Sequence, residues 1–333
     1  MPDLTISDLE DARPRPRFLL ILLGAVLATS LLFGCCAWAL GDRFYLRLAT
    51  EALLCSWLAL SVELLLGQAG LLSLGQALYF GLGAYVSALM LKHVATSFAL
   101  AVSATLVAAT AVSALAGVIA LRARGVYFTI LSFSLAQILA KAAYNTPSLG
   151  ASDGLGGIPL LDIHLGIRIP TGAPFPFFLF TLAMTIALYS AVLYLLETPF
   201  GRVLAAIRAN EGRVPFLGYS AHRHLLVIYI LAADIAALGG ALYPMLRGFV
   251  SPELMSFRAS GDAVINVILG GSGTLMGPLL GTLVLTLLRS LISTFSEHHP
   301  IWIGLLFVGC VLLLPQGLVG WLQARLVRRG RSP

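Results

Sequence analysis

The stretch Gly67-Gln-Ala-Gly-Leu-Leu-Ser-Leu-Gly-Gln-Ala-Leu-Tyr-Phe-Gly-Leu-Gly-Ala-Tyr-Val-Ser-Ala-Leu-Met-Leu91 holds five glycines, two serines, two glutamines and no charge. Glycine weakens a helix by roughly 1 kcal/mol relative to alanine, so such a cluster needs a reason. Inside a membrane, small residues let helix backbones approach closely, and glycines open a helix where unwound backbone lines a cavity. Gly67, Gly70, Ser73 and Gly75 interrupt the start of an apolar segment, and Gly81 and Gly83 then give that segment a small face. A second glycine-broken start follows in the other half of the chain, in Gly270-Gly-Ser-Gly-Thr-Leu-Met-Gly-Pro-Leu-Leu-Gly281. Interrupted segments in corresponding places of two halves point to internal duplication around a central pathway. The expected pathway and hinge positions are therefore Gly70, Ser73, Gly75, Gly81, Gly83, Gly270, Gly271, Gly273 and Gly277, as packing and bending sites.

The rest of the chain agrees with a membrane setting. Its 333 residues are 59% hydrophobic and 11% charged, with a mean hydropathy of +0.93, which leaves too little polar surface to cover a soluble globule. The apolar runs are long enough for helices across the hydrocarbon core, about 20 residues each, and lack the alternation of a membrane barrel. The pattern predicts an all-α, polytopic transmembrane bundle. Crossings are expected near 18–40, 46–66, 76–91, 98–121, 126–140, 175–196, 224–246, 261–275, 277–294 and 301–316, the pair at 261–294 being glycine-broken.

Ten crossings put both termini on one side. Of the 21 Lys and Arg, thirteen fall on the side of the N-terminus and eight on the other, so both termini are expected in the cytoplasm. The division is a cytoplasmic tail at 1–17, a single transmembrane domain at 18–320 and a basic tail at 321–333. The net charge of +6 then marks topology and not nucleic-acid binding. The four cysteines lie in apolar segments without metal-ligand spacing, and no metal site is expected.

Two connections exceed simple turns: an external one at 145–173, rich in Gly and Pro, and a cytoplasmic one at 197–223. In the latter, Thr198 and Pro199 make a cap and first turn. Val203, Leu204 and Ile207, with Ala206, form a stripe at helical spacing, with Arg202, Arg208 and Glu211 off it and Gly212 ending the helix. Such an amphipathic helix either lies on lipid headgroups or docks a soluble partner.

Four carboxylates fall within the spans: Glu51, Glu63, Asp234 and Asp262. Ionisable groups in a membrane carry a functional hypothesis by default. Asp234, mid-span, is the candidate for coupling or gating; structural pairing is the alternative, as expected for Glu51 with Arg47 one turn back. The chain has no phosphate-binding loop, no His-Glu-x-x-His and no Gly-x-Ser-x-Gly, so no catalytic residue and no enzyme activity are expected.

Four blocks carry a family resemblance: Gly70-Leu-Leu-Ser-Leu-Gly-Gln-Ala-Leu-Tyr-Phe-Gly-Leu-Gly-Ala-Tyr85, Leu121-Arg-Ala-Arg-Gly-Val-Tyr-Phe-Thr-Ile130, Ser152-Asp-Gly-Leu-Gly-Gly-Ile-Pro159, and Ser251-Pro-Glu-Leu-Met-Ser-Phe-Arg-Ala-Ser260 leading into Gly270-Gly-Ser-Gly-Thr-Leu-Met-Gly-Pro278. In content and order they resemble permease subunits of branched-chain amino acid ABC importers, over residues 45–320. The resemblance implies a subunit in a bacterial inner membrane that pairs with a second homologous permease. Two cytoplasmic ATPases would use ATP and Mg, an external solute-binding protein would deliver the solute, and this chain would carry no cofactor. It also implies an ATPase-coupling loop containing Pro199, Gly201, Arg202, Arg208, Asn210, Glu211 and Gly218, and external contacts to the binding protein at Asp153, Glu253 and Arg258. The implied cargo is a branched-chain or other hydrophobic amino acid. Importers of urea and short amides share the architecture, and a stand-alone carrier or channel centred on Asp234 is the remaining alternative.

Overall fold

The computed structural model describes residues 41–94, 96–159, 161–164 and 168–295, with isolated positions between 24 and 38 and between 301 and 320. Helix α1 (Arg43–Glu63) starts behind Asp42, whose carboxylate accepts the Phe44 N–H at 2.9 Å. It widens into a π-helical turn over Leu64–Ala69 and stops at Gly70, in the left-handed region at φ +74°. After a short loop come α2 (Gln76–Leu89), α3 (Phe98–Ala120), α4 (Val126–Asn145), α5 (Pro174–Glu197), α6 (Pro199–Asn210), α7 (Ala221–Arg247), α8 (Phe257–Gly270) and α9 (Gly277–Phe295). Four short strands, β1 (Leu155–Gly156), β2 (Asp162–His164), β3 (Arg168–Pro170) and β4 (Phe249–Val250), form two antiparallel pairs, β1 with β4 and β2 with β3.

Among the described residues six helices are long and apolar enough to cross a membrane: Arg43–Ala69, Gln76–Val94, Phe98–Ala120, Val126–Asn145, Pro174–Glu197 and Ala221–Arg247. They match six of the expected crossings. The spans expected at 18–40 and 301–316 lie, apart from isolated positions, outside the described residues. The segment expected at 261–275 is the 14-residue α8, which at 1.5 Å per residue reaches about 21 Å and covers only part of a core roughly 30 Å thick. It starts earlier than expected because Ser256 caps it, its hydroxyl accepting the Ala259 N–H at 3.3 Å.

Helices α1, α2 and α7 form the centre. At the seam of α2 and α7 the backbones touch: a Cβ at Gly83 would strike the Ala237 carbonyl, and one at Gly240 the Phe80 carbonyl. The Ser87 hydroxyl donates to the Ala241 carbonyl at 2.8 Å, and the Tyr79 and Tyr229 hydroxyls meet at 3.0 Å. These contacts answer the question of the glycine-rich stretch. Its small residues buy close approach in a setting where dispersion and hydrogen bonding, and not the hydrophobic effect, hold helices together. The second stretch does the same for α8 and α9, where Gly270 abuts the Gly277 carbonyl and Gly281 the Asn266 carbonyl.

Candidate functional site

Only Thr198 separates α5 from α6. Its hydroxyl turns back to the Leu195 carbonyl at 2.6 Å, so it closes the end of α5, and the capping expected of it at the start of α6 does not occur. Gly201 lies against the Leu196 backbone, where a side chain would collide. Together with Pro199 in the first turn, this makes a sharp elbow.

The expected apolar stripe is real, but its partner is internal. Val203, Leu204 and Ile207 are buried within the protein's own core, so this face of α6 lies on neither lipid nor a soluble partner. Arg202 and Asn210 are exposed. Glu211 pairs with Arg124 at 3.2 Å, a surface ion pair joining the end of α6 to the connection between α3 and α4. Beyond it a turn over Glu211–Leu217 ends at Gly218, at φ +81°. That turn exposes Phe216 (90%) and Leu217 (67%), an apolar patch that the charge-centred reading of the loop overlooked.

Arg208 is also exposed over much of its surface, but its guanidinium reaches across to the broken segments. Its guanidinium donates to the Gly67 carbonyl, and its stem passes Gly70, where an added Cβ would lie 3.4 Å from Cγ. A Cβ at Gly273 would lie 3.5 Å from its Nη1. The same place holds Glu63, fully buried, whose Oε1 accepts the Gly273 N–H at 2.9 Å and the Gln68 amide at 3.4 Å. A side chain at Gly67 would strike that carboxylate. The two glycine-broken segments, far apart in sequence, therefore meet at one buried carboxylate, and α6 reaches the junction through Arg208. A buried charge needs a partner and hydrogen bonds to be tolerated; here the Gly273 N–H and the Gln68 amide serve Oε1, while Oε2 has no hydrogen-bond partner among the described residues.

The other expected pathway residues support this junction. The Ser73 hydroxyl accepts the Gly75 N–H at 3.3 Å, and the Thr129 hydroxyl donates to the Leu72 carbonyl at 2.7 Å, holding the loop against α4. Gly75 abuts the Ser132 carbonyl and Gly81 abuts Met255. Gly271 donates to the Val267 carbonyl at 2.9 Å, ending α8. Asp234 stands elsewhere, at the seam of α7 and α3, where both carboxylate oxygens accept from Thr110 at 3.0 and 3.1 Å. Glu63, and not Asp234, is the carboxylate that joins the broken segments. Its sequence signal was its place four residues before Gly67, on the same helical face.

At the opposite end of the bundle, β1 pairs with β4, Leu155 opposite Val250. The two loops expected to be external thus lie side by side, with Asp153, Glu253 and Arg258 all exposed. Asp153 accepts from Ser152 at 3.0 Å, and Lys92 donates to the Gly156 carbonyl at 3.0 Å. Glu51 pairs with Arg247 of α7, and Tyr243 donates to it at 3.5 Å. This corrects the expected partner Arg47, which is exposed: packing of α1 against α7 brings the Arg247 guanidinium onto the Glu51 carboxylate, which then has no need of the cation on its own helix. Asp262 takes two hydrogen bonds from Arg289, at 3.0 and 3.1 Å.

Comparison with known proteins follows this architecture. The family model described as branched-chain amino acid transport system / permease component matches residues 44–315. The high-affinity branched-chain amino acid transport system permease protein LivM of Escherichia coli K12 is 28% identical over 299 residues, covering 84% of this chain and 70% of LivM. LivH of the same organism is 24% identical over 137 residues, 40% of this chain and 44% of LivH. The autoinducer 2 import system permease protein LsrC of Klebsiella pneumoniae is 30% identical over 141 residues, 41% of this chain and 40% of LsrC. No solved structure matches the chain significantly. A match over most of the chain, on a multi-pass helical bundle whose glycine-broken segments meet at one buried carboxylate, makes this protein a member of the permease component family of branched-chain amino acid transport systems.

Proposed function

We propose that the chain is one of two homologous permeases in an ATP-driven importer of the bacterial inner membrane, carrying branched-chain or other hydrophobic amino acids inward. Both termini lie in the cytoplasm, the domain division is 1–17, 18–320 and 321–333, and of the ten expected crossings the one at α8 is partial. Two cytoplasmic ATPases, which hold the ATP and Mg, dock on the exposed side of α6 and on the patch at Phe216 and Leu217. An external binding protein settles on the paired loops near Asp153, Glu253 and Arg258. The observation that carries the coupling is the contact of Arg208 with the Gly67 carbonyl beside Glu63. A push on α6 then reaches both broken segments without an intermediary, and the chain opens to one side or the other.

The test is isolation of the tagged chain from native membranes in mild detergent, followed by ATP-driven uptake in proteoliposomes. The expected result is co-purification of a second apolar permease and two phosphate-loop ATPases, with uptake of leucine, isoleucine or valine in preference to urea. A chain that emerges alone and moves solute without ATP sinks the importer reading.

A further inference from the structure

The end of the bundle opposite α6 holds a half-open cavity of about 390 Å³ between α1, α7, α8 and α9, within the range of small-ligand sites, roughly 300–1,000 Å³. Two ion pairs line it: Glu51 with Arg247, and Asp262 with Arg289. Glu51 precedes Glu63 by twelve residues of one helix, so the cavity lies about 18 Å along the axis from the junction at Arg208. The remaining wall is mixed: Leu58, Phe80 and Leu254 make an apolar side, and Tyr243, Asn266 and Thr286 add polar groups. The charges converge: all four line the one cavity, as does Cys55.

Two cations and two anions cancel, so the empty cavity is neutral. A bare cation or anion entering it would add an unbalanced charge in a medium of low dielectric, which is costly. A solute bearing one charge of each sign adds none. Arginine has five N–H donors, and Arg289 spends two on Asp262. The side chains of Arg247 and Arg289 are 48% and 40% exposed, so donor capacity is left on both.

We propose that this cavity is a transit site for a zwitterionic α-amino acid with an apolar side chain. Its carboxylate is received by Arg247 and Arg289, its ammonium by Glu51 and Asp262, and its side chain by the wall of Leu58, Phe80 and Leu254. The proposal deepens the function proposed above and rests on it for the identity of the cargo.

Cys55, partly accessible, reports occupancy directly. The full importer complex, with Cys35, Cys36 and Cys310 replaced by serine, is placed in vesicles and labelled with methyl methanethiosulfonate. Saturating L-leucine is expected to slow labelling about fivefold or more, as a bound ligand should. Isoamylamine, which lacks the carboxylate, and 4-methylpentanoate, which lacks the amine, should leave it unchanged. The double variant Asp262→Asn/Arg289→Gln, which keeps a neutral hydrogen-bonded pair, should lose the leucine effect while retaining assembly. Equal slowing by all three compounds, or none by leucine, overturns the site. So does a thiol shielded without leucine in phosphatidylethanolamine vesicles but open in phosphatidylglycerol vesicles, which assigns the cavity to a lipid headgroup. ATP-driven leucine uptake, measured on the same vesicles, separates the two claims. Uptake without protection removes the site and leaves the importer standing, whereas protection without uptake removes the importer reading.

Discussion

Helices α1, α2 and α7 bury 83%, 61% and 67% of their most apolar windows, against 22%, 28% and 33% for α3, α4 and α5. The hydropathies of the two groups overlap, 1.2 to 2.2 for the inner and 1.5 to 2.0 for the outer, so hydrophobicity alone does not tell an inner helix from an outer one. What differs is the small and polar complement. The inner group carries the glycine seam, the paired tyrosines, Glu63 and Glu51; the outer group shows its large aliphatic side chains, such as Ile138 and Leu115, to its surroundings. In a bilayer the outward face needs only to be greasy, whereas the inward face must fit.

That contrast breaks most sharply at the seam. Gly240→Leu drives a side chain into the Phe80 carbonyl and is expected to cost about 3 kcal/mol from overpacking, read as a loss of folded chain on thermal challenge in detergent. Next comes the junction. Glu63→Gln and Arg208→Gln should each cut uptake per ATP hydrolysed severalfold, and a double-mutant cycle on that ratio should show a coupling of about 1–3 kcal/mol, as for residues sharing one network. Independent effects would mean that Arg208 serves only the surface. Asp234→Asn, held at the α3 seam by Thr110, is expected to change uptake by no more than about twofold, within the usual range of sites away from a critical network. The smallest effect belongs to Ile138→Ala on the outer face of α4, expected within about 0.5 kcal/mol in a thermal shift. A large loss there would turn α4 from a lipid-facing wall into an interface with another subunit.

Much of this arrangement could be read in one dimension. Six crossings, the amphipathic stripe of α6 and the two glycine clusters all follow from local composition and helical periodicity, which depend on residues a few positions apart. The junction did not follow, because Glu63 and Gly273 are 210 residues apart and nothing in either neighbourhood names the other. The same holds for Glu51, for which the nearest cation in sequence was the wrong one: its partner lies 196 residues away on another helix. The reach of Arg208 to the Gly67 carbonyl was also illegible, since an arginine off the apolar stripe reads as a solvated charge until the helix has a neighbour. Nor did the loop sequences announce that β1 and β4 would pair, two residues each being too short for alternation to show.

The one-residue elbow at Thr198 also bears on how the chain is made. As α5 leaves the ribosome it is a 24-residue apolar segment, long enough to partition into lipid on its own. The 12 residues of α6 that follow extend about 18 Å and begin with a proline. They cannot span the membrane during synthesis, and Gly201 folds them back against the segment just inserted. Helix α6 therefore stays on the side where α5 ends until α7 emerges. A lengthened elbow would leave α6 just as unable to span, but would loosen its seat beside Leu196, so the cost would fall on its docking after synthesis and not on the orientation of later segments.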